Sequence, residues 1–105
     1  MYHAIMSNDE LYDRIREAVQ KLPERDSIAR VRLFGSRLTG NPRPDSDVDL
    51  IVDFSPMVGL LALVGIQQQL EHELGLRVDL LTPRSISKYI REDVLQSAKT
   101  VYEKR

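Results

Sequence analysis

Three aspartates and a glycine–serine pair are the residues of this 105-residue chain whose types and spacing could do chemistry. Asp47 and Asp49 lie two apart in Asp47-Val48-Asp49-Leu50, at the head of an apolar run, Val48 to Phe54, that reads as a strand. Side chains alternate between the faces of a strand, so both carboxylates project from one face while Val48, Leu50 and Val52 point into the other. Paired hard oxygen donors suit Mg²⁺, which is held by one or two carboxylates and completed by substrate phosphates and water. Ten residues separate Ser36 from Asp47, and Gly35-Ser36 closes an earlier apolar run, Ile28 to Phe34. A residue without a side chain at the end of a strand lets backbone N–H groups come close to a phosphate.

A phosphate-cradling turn beside a carboxylate pair is what transfer of a nucleotidyl group requires. An attacking oxygen and a leaving pyrophosphate must be held in line across an α-phosphate while the charge gathering there is neutralised. Two divalent ions roughly 3.5–4 Å apart meet both needs. A third carboxylate is then expected from a neighbouring strand, to complete the nucleophile-side ion and accept a proton. Asp79, in Arg77-Val78-Asp79-Leu80-Leu81, is the candidate. Acidic residues at strand starts are ordinarily just solvated, and it is the combination of the pair, the Gly-Ser bend and the third acid that argues for a site. Asp45 and Asp53 read as loop and surface carboxylates, and His3 and His72 as uninvolved.

The elements that must position these residues follow from periodicity and punctuation. Ser7 or Asn8 caps a first helix, with Asp9 and Glu10 in its opening turn and Leu11, Ile15, Ala18, Val19 and Leu22 at helical spacing up to Pro23. Ala29, Val31 and Leu33 alternate with Arg30 and Arg32, a half-buried strand whose arginines are expected to face solvent. Arg37 to Thr39 reads as a short helical turn, and Gly40 to Ser46 as a loop. Beyond Pro56, the broad apolar stretch Met57 to Ile66 is expected to be core, covering the sheet, with breadth to spare for a protein interface. Gly75 is placed to end that helix, Val78 to Leu81 is a short strand, and about Ser85 to Ala98 reads as a last helix before an edge strand at Thr100-Val101-Tyr102. Tyr2, Tyr12, Tyr89 and Tyr102 are expected to serve structure. The expectation is one domain spanning residues 1–105, of α/β (α+β) class, with a small mixed sheet of three to four strands and helices mainly on one face.

Composition narrows the partners. With no cysteine, thiolate metal sites and cysteine nucleophiles are excluded and a reducing cytoplasm is the natural compartment. A net charge of −1 gives no basic excess for gripping a nucleic-acid backbone. No stretch approaches the ~20 apolar residues of a membrane span, and the start lacks the apolar core of a signal peptide. A chain this short has little room for a separate acceptor-holding domain, which points to an acceptor presented by another molecule. Homo- and hetero-oligomers both stay open.

Leu33-Phe34-Gly35-Ser36-Arg37, Asp47-Val48-Asp49-Leu50 and Val78-Asp79-Leu80 together resemble the signature of the polymerase-β nucleotidyltransferase superfamily. The Gly-Ser-Arg-x-x-Gly and Pro-Asp-Ser-Asp-x-Asp wording is most similar to the minimal nucleotidyltransferases. The resemblance implies a polymerase-β-like core in which Gly35 and Ser36 contact the β and γ phosphates of a nucleoside triphosphate. It further implies that Asp47 and Asp49 hold two Mg²⁺ ions, with Asp79 on the catalytic one. The motif itself assigns nothing to Arg37 and Arg43, but a guanidinium beside the phosphate loop can stabilise triphosphate charge, and Arg37 is counted with the nucleotide-binding residues on that ground. Many such proteins are antitoxins paired with a HEPN-domain ribonuclease toxin, and characterised ones move AMP from ATP to a toxin tyrosine. The implied activity is therefore protein adenylylation of a cognate toxin. Two alternatives stand beside it: a non-catalytic module that neutralises its partner by binding, and transfer to a small molecule or RNA end.

Overall fold

The computed structural model describes residues 7–35 and 48–104. Its order is α1 (Asn8–Gln20), β1 (Ile28–Phe34), β2 (Val48–Phe54), α2 (Leu60–Leu74), β3 (Val78–Leu81), α3 (Arg91–Ser97) and β4 (Lys99–Glu103), with 3₁₀ turns at Arg25–Ser27 and Pro83–Ser85. The four strands form one mixed sheet in the order β3-β2-β1-β4. β1 runs antiparallel to both of its neighbours, while β2 and β3 are parallel and joined through α2. This is the mixed-sheet α/β architecture expected from the sequence.

Local signals set the element ends. The Ser7 side chain accepts a hydrogen bond from the Glu10 amide, closing the first turn of α1. Gly75, at φ 67°, ends α2 in the left-handed conformation, its amide donating to the Glu71 carbonyl. The chain is thereby turned straight into β3. Leu11, Ile15, Ala18 and Val19 of α1 and Ile66, Leu70 and Leu74 of α2 pack on Val31, Leu33, Leu50, Val52 and Val78 to make the main core. The expected inward set of β2, Val48, Leu50 and Val52, is fully buried there.

The opposite sheet face is only partly covered. Ile51 lies on it fully buried, yet stands apart from the main core, as does Ile86. The Pro83–Ser85 turn and α3 pack over this face.

Two expectations about α2 and α3 are corrected. Of the stretch Met57 to Ile66 only Ile66 is buried, while Leu60 and Leu61 are 76% and 88% exposed and Met57 and Val64 are also exposed. The inward stripe of α2 runs through Ile66, Leu70 and Leu74, one residue per turn. Apolar residues off that stripe have no strand beneath them. The final helix begins at Arg91 rather than near Ser85. Ser85 is spent on a local turn, its hydroxyl donating to the Thr82 carbonyl and accepting from the Thr82 amide, with Pro83 in the first position of that turn.

Candidate active site

The carboxylates are brought together by strand pairing. β2 and β3 are parallel with Asp49 directly beside Asp79. Residues paired in register share a face at a strand spacing of about 4.8 Å, so the two acids form one acidic row. Two backbone features hold this register. The Val48 amide donates to the Arg77 carbonyl at 2.7 Å, and the Val78 amide donates to a Glu71 carboxylate oxygen at 2.9 Å. The neighbours Val78 and Leu80 pack towards the core, which turns Asp79 to the exposed side.

Gly35 meets the same row from β1. Phe34 is paired with Asp49 across the antiparallel ladder, so the chain leaves β1 alongside that carboxylate. At φ 85° Gly35 is in a conformation that side chains rarely adopt, and a Cβ there would lie 3.1 Å from Asp49 Cγ and overlap its carboxylate oxygen. The bend and the acid therefore occupy one compact corner. Ser36, Arg37, Asp47, Arg43 and Asp45 lie outside the described residues. Of the sequence-derived site the structure joins Gly35, Asp49 and Asp79.

This donor set fits a hard cation. Its donors are carboxylate oxygens, and the chain has no cysteine. Among the described residues no group of three or more His, Cys, Asp or Glu side chains is placed to hold a metal ion by itself, so a cation here would draw the rest of its shell from water and phosphate oxygens.

Arg32 corrects a further expectation. Its side chain is only 12% exposed and forms an ion pair with Asp53 at 3.3 Å, instead of facing solvent. Arg30 pairs with Glu103 at 2.7 Å. The alternation in β1 signalled the arginine face correctly. What it could not signal is the cover that α3 lays over that face. Lys88, Arg91 and Glu92, together with Arg32, line a cavity of about 470 Å³ there, and nothing in the spacing of these residues marked them beforehand.

Residues 13–101 match the nucleotidyltransferase domain family. A protein adenylyltransferase, MntA, of Thermococcus cleftensis is 34% identical over 89% of this chain and 94% of its own length. A solved structure described as a minimal nucleotidyltransferase is 41% identical, with a TM-score of 0.74 over 90% of this chain and 96% of that one. A toxin–antitoxin crystal structure with AMP-PNP shares the fold at a TM-score of 0.71 and 24% identity, over 90% of this chain and 74% of the other. No helix among the described residues is long and apolar enough to cross a membrane.

Proposed function

The chain belongs to the nucleotidyltransferase domain family, in its minimal branch, and from that premise we propose that it adenylylates a protein, transferring AMP from ATP to a hydroxyl of a cognate toxin and acting as its antitoxin. The observation that carries this reading is the Asp49–Asp79 pair in register, with the Gly35 bend packed on it. The named activity of the 34%-identical relative supports the choice of reaction. The partner in this reading is a HEPN-domain ribonuclease and the acceptor one of its tyrosines, as the minimal-nucleotidyltransferase pattern implies. Residues 1–105 work as one such domain in the cytoplasm.

Each residue then has a stated task. Backbone N–H groups of the Gly35-Ser36 bend cradle the β and γ phosphates, a close backbone approach that glycine favours. Arg37 neutralises triphosphate charge from beside the bend. Asp47, Asp49 and Asp79 would hold two Mg²⁺ ions, which when bound neutralise charge on the reacting phosphates and acidify the attacking hydroxyl. Asp79, on the more exposed strand, accepts the hydroxyl proton. The tyrosine oxygen forms a bond to the α-phosphorus, the bond from that phosphorus to the β-phosphate oxygen breaks, and pyrophosphate leaves.

The exposed apolar end of α2 favours a second reading, in which binding alone neutralises the partner. One experiment separates the two. The chain is incubated with Mg²⁺, α-labelled ATP and the partner ribonuclease, and both label transfer and ribonuclease activity are followed. Transfer should occur and be lost in Asp49→Ala and Asp79→Ala, along with suppression of the ribonuclease. Labelling that persists in both variants would refute the assigned site, and suppression without labelling would establish the binding reading.

A further inference from the structure

The tyrosines of this chain fall into two kinds. Tyr12 and Tyr102 pack against the core, as expected of structural aromatics, and Tyr2 lies outside the described residues. Tyr89 corrects the expectation, since it is 84% exposed. A ring left in water contributes little burial energy to the fold, so structure gives no reason for it.

A short braced turn presents this ring. Ile86 is buried, and Arg91 NH2 donates back to the Ile86 carbonyl at 2.9 Å, which ties the two ends of the segment together. Inside that clasp the Ile90 amide donates to the Ser87 carbonyl at 3.1 Å, and the Tyr89 amide to the Ser87 hydroxyl at 3.4 Å. Ser87, Lys88, Tyr89 and Ile90 are all exposed. The backbone is thus fixed while the side chains stand out from it, which is how a group is offered to another molecule.

Charge says which molecule. From Arg84 to Arg91 the chain carries three cations, Arg84, Lys88 and Arg91, and no acid; Glu92 and Asp93 follow only inside α3. Lys88 Nζ lies 5.4 Å from the centre of the Tyr89 ring, so the phenol travels with a positive charge. That tip is complementary to the acidic row of Asp49 and Asp79 and to a bound triphosphate, and opposite charges both speed and orient an encounter. Lys88 shares a cavity wall with Arg32, and Arg32 is paired with Asp53, which stands four residues along β2 from Asp49 on the same side of the strand. The turn therefore belongs to the catalytic face. A ring so exposed points away from its own sheet, and two copies with these faces opposed each offer a phenol to the acids of the other.

We propose that Tyr89 is a self-modification site, at which one copy of the chain places AMP on the Tyr89 hydroxyl of a second copy. The idea rests on the transferase reading above. In this step the Tyr89 phenolic oxygen bonds to the α-phosphorus of ATP held by the other copy, and the bond from that phosphorus to the β-phosphate oxygen breaks. Pyrophosphate leaves with the electron pair, and the phenol proton passes to Asp79 of the transferring copy and then to solvent.

The test uses the chain without any other protein. Wild type is incubated with ATP and Mg²⁺, and the product is read by intact mass and peptide mapping. AMP should appear on Tyr89. Two variants then separate donor from acceptor: Asp79→Asn keeps the tyrosine and lacks the proposed base, whereas Tyr89→Phe keeps the site and lacks the acceptor. Neither should be modified alone, and once mixed and equilibrated the Asp79→Asn chain should gain AMP on Tyr89. Tyr89→Phe should still transfer AMP to the partner ribonuclease at the wild-type rate, which shows that the lost hydroxyl was an acceptor and not part of the machinery. AMP mapped to another residue overturns the proposal, as does a mixture that stays unmodified while wild type is modified. Wild type that labels the ribonuclease but never itself overturns it too, and leaves the transferase reading standing. Wild type that labels neither overturns both.

Discussion

The Asp49 carboxylate fills the space that a side chain on Gly35 would need. Chain direction and acid position are thus set by one contact, and Gly35→Ala must disturb both. A left-handed backbone costs a residue with a Cβ roughly 1–2 kcal/mol, and the overlap with Asp49 has to be relieved by displacing its carboxylate. A domain of this size loses about 4–8 °C of melting temperature per kcal/mol, so a fall of about 5–15 °C is expected by calorimetry. Transfer should fall far more, on the order of a hundredfold or greater at a temperature where the variant is still folded, because misplacement by about 1 Å is enough for such a loss.

Asp49 and Asp79 are like charges in register on adjacent strands, an arrangement that costs stability and that a bound cation relieves. Asp79→Asn, whose side chain lies on the exposed side, should therefore leave the metal-free protein as stable as wild type or a few degrees more so. Adding Mg²⁺ should reverse the order, raising the melting temperature of wild type and leaving the variant unmoved. Thermal unfolding with and without the cation reads the two effects separately, and a stabilised variant with no transfer activity would exclude misfolding as the reason for its inactivity.

Much of this site was legible because its determinants are local. A period of two placed Asp49 opposite Leu50, a four-residue apolar run placed Asp79, and a glycine at a strand end announced the bend. The arginines of β1 show where locality fails. Alternation assigns Arg30 and Arg32 to a face, but whether that face meets water depends on α3, which follows some sixty residues later and starts only at Arg91, because Ser85 is spent on the Thr82–Ser85 turn. The apolar count of α2 failed in the converse way. Hydrophobicity states what a residue would gain by burial, whereas the sheet offers cover to one stripe of the helix only, and Leu60 and Leu61 lie off it.

That uncovered end of α2 separates partner binding from folding. Leu61→Asp removes no buried contact and should change stability by no more than about 0.5 kcal/mol. In the same helix Leu70→Ala empties a fully buried position and should cost about 2–5 kcal/mol. If the patch is where the acceptor-bearing partner docks, Leu61→Asp should abolish co-purification of the complex and transfer to the partner, while the variant still binds ATP and Mg²⁺. Size-exclusion chromatography of the co-expressed pair, alongside nucleotide titration of the free chain, checks both halves.

Glu71 offers the most selective probe of how the fold aims its chemistry. It is a helix residue whose carboxylate accepts the Val78 amide at 2.9 Å, one residue before Asp79. Its neighbour Leu70 is wholly buried beneath the sheet, so the carboxylate is fixed to a rigid base. Glu71→Ala removes an acceptor at the point where β3 begins, a loss of about 0.5–1.5 kcal/mol for a hydrogen bond, and frees the start of a strand only four residues long. Because Asp79 is proposed to act on the attacking hydroxyl and not on the triphosphate cradle, kcat should drop about three- to tenfold while KM for ATP holds. Glu71→Gln keeps an acceptor oxygen and should restore most of that rate. A fall in ATP affinity without a change in kcat, or failure of glutamine to rescue, would mean that the Glu71–Val78 bond supports stability alone and plays no part in placing Asp79.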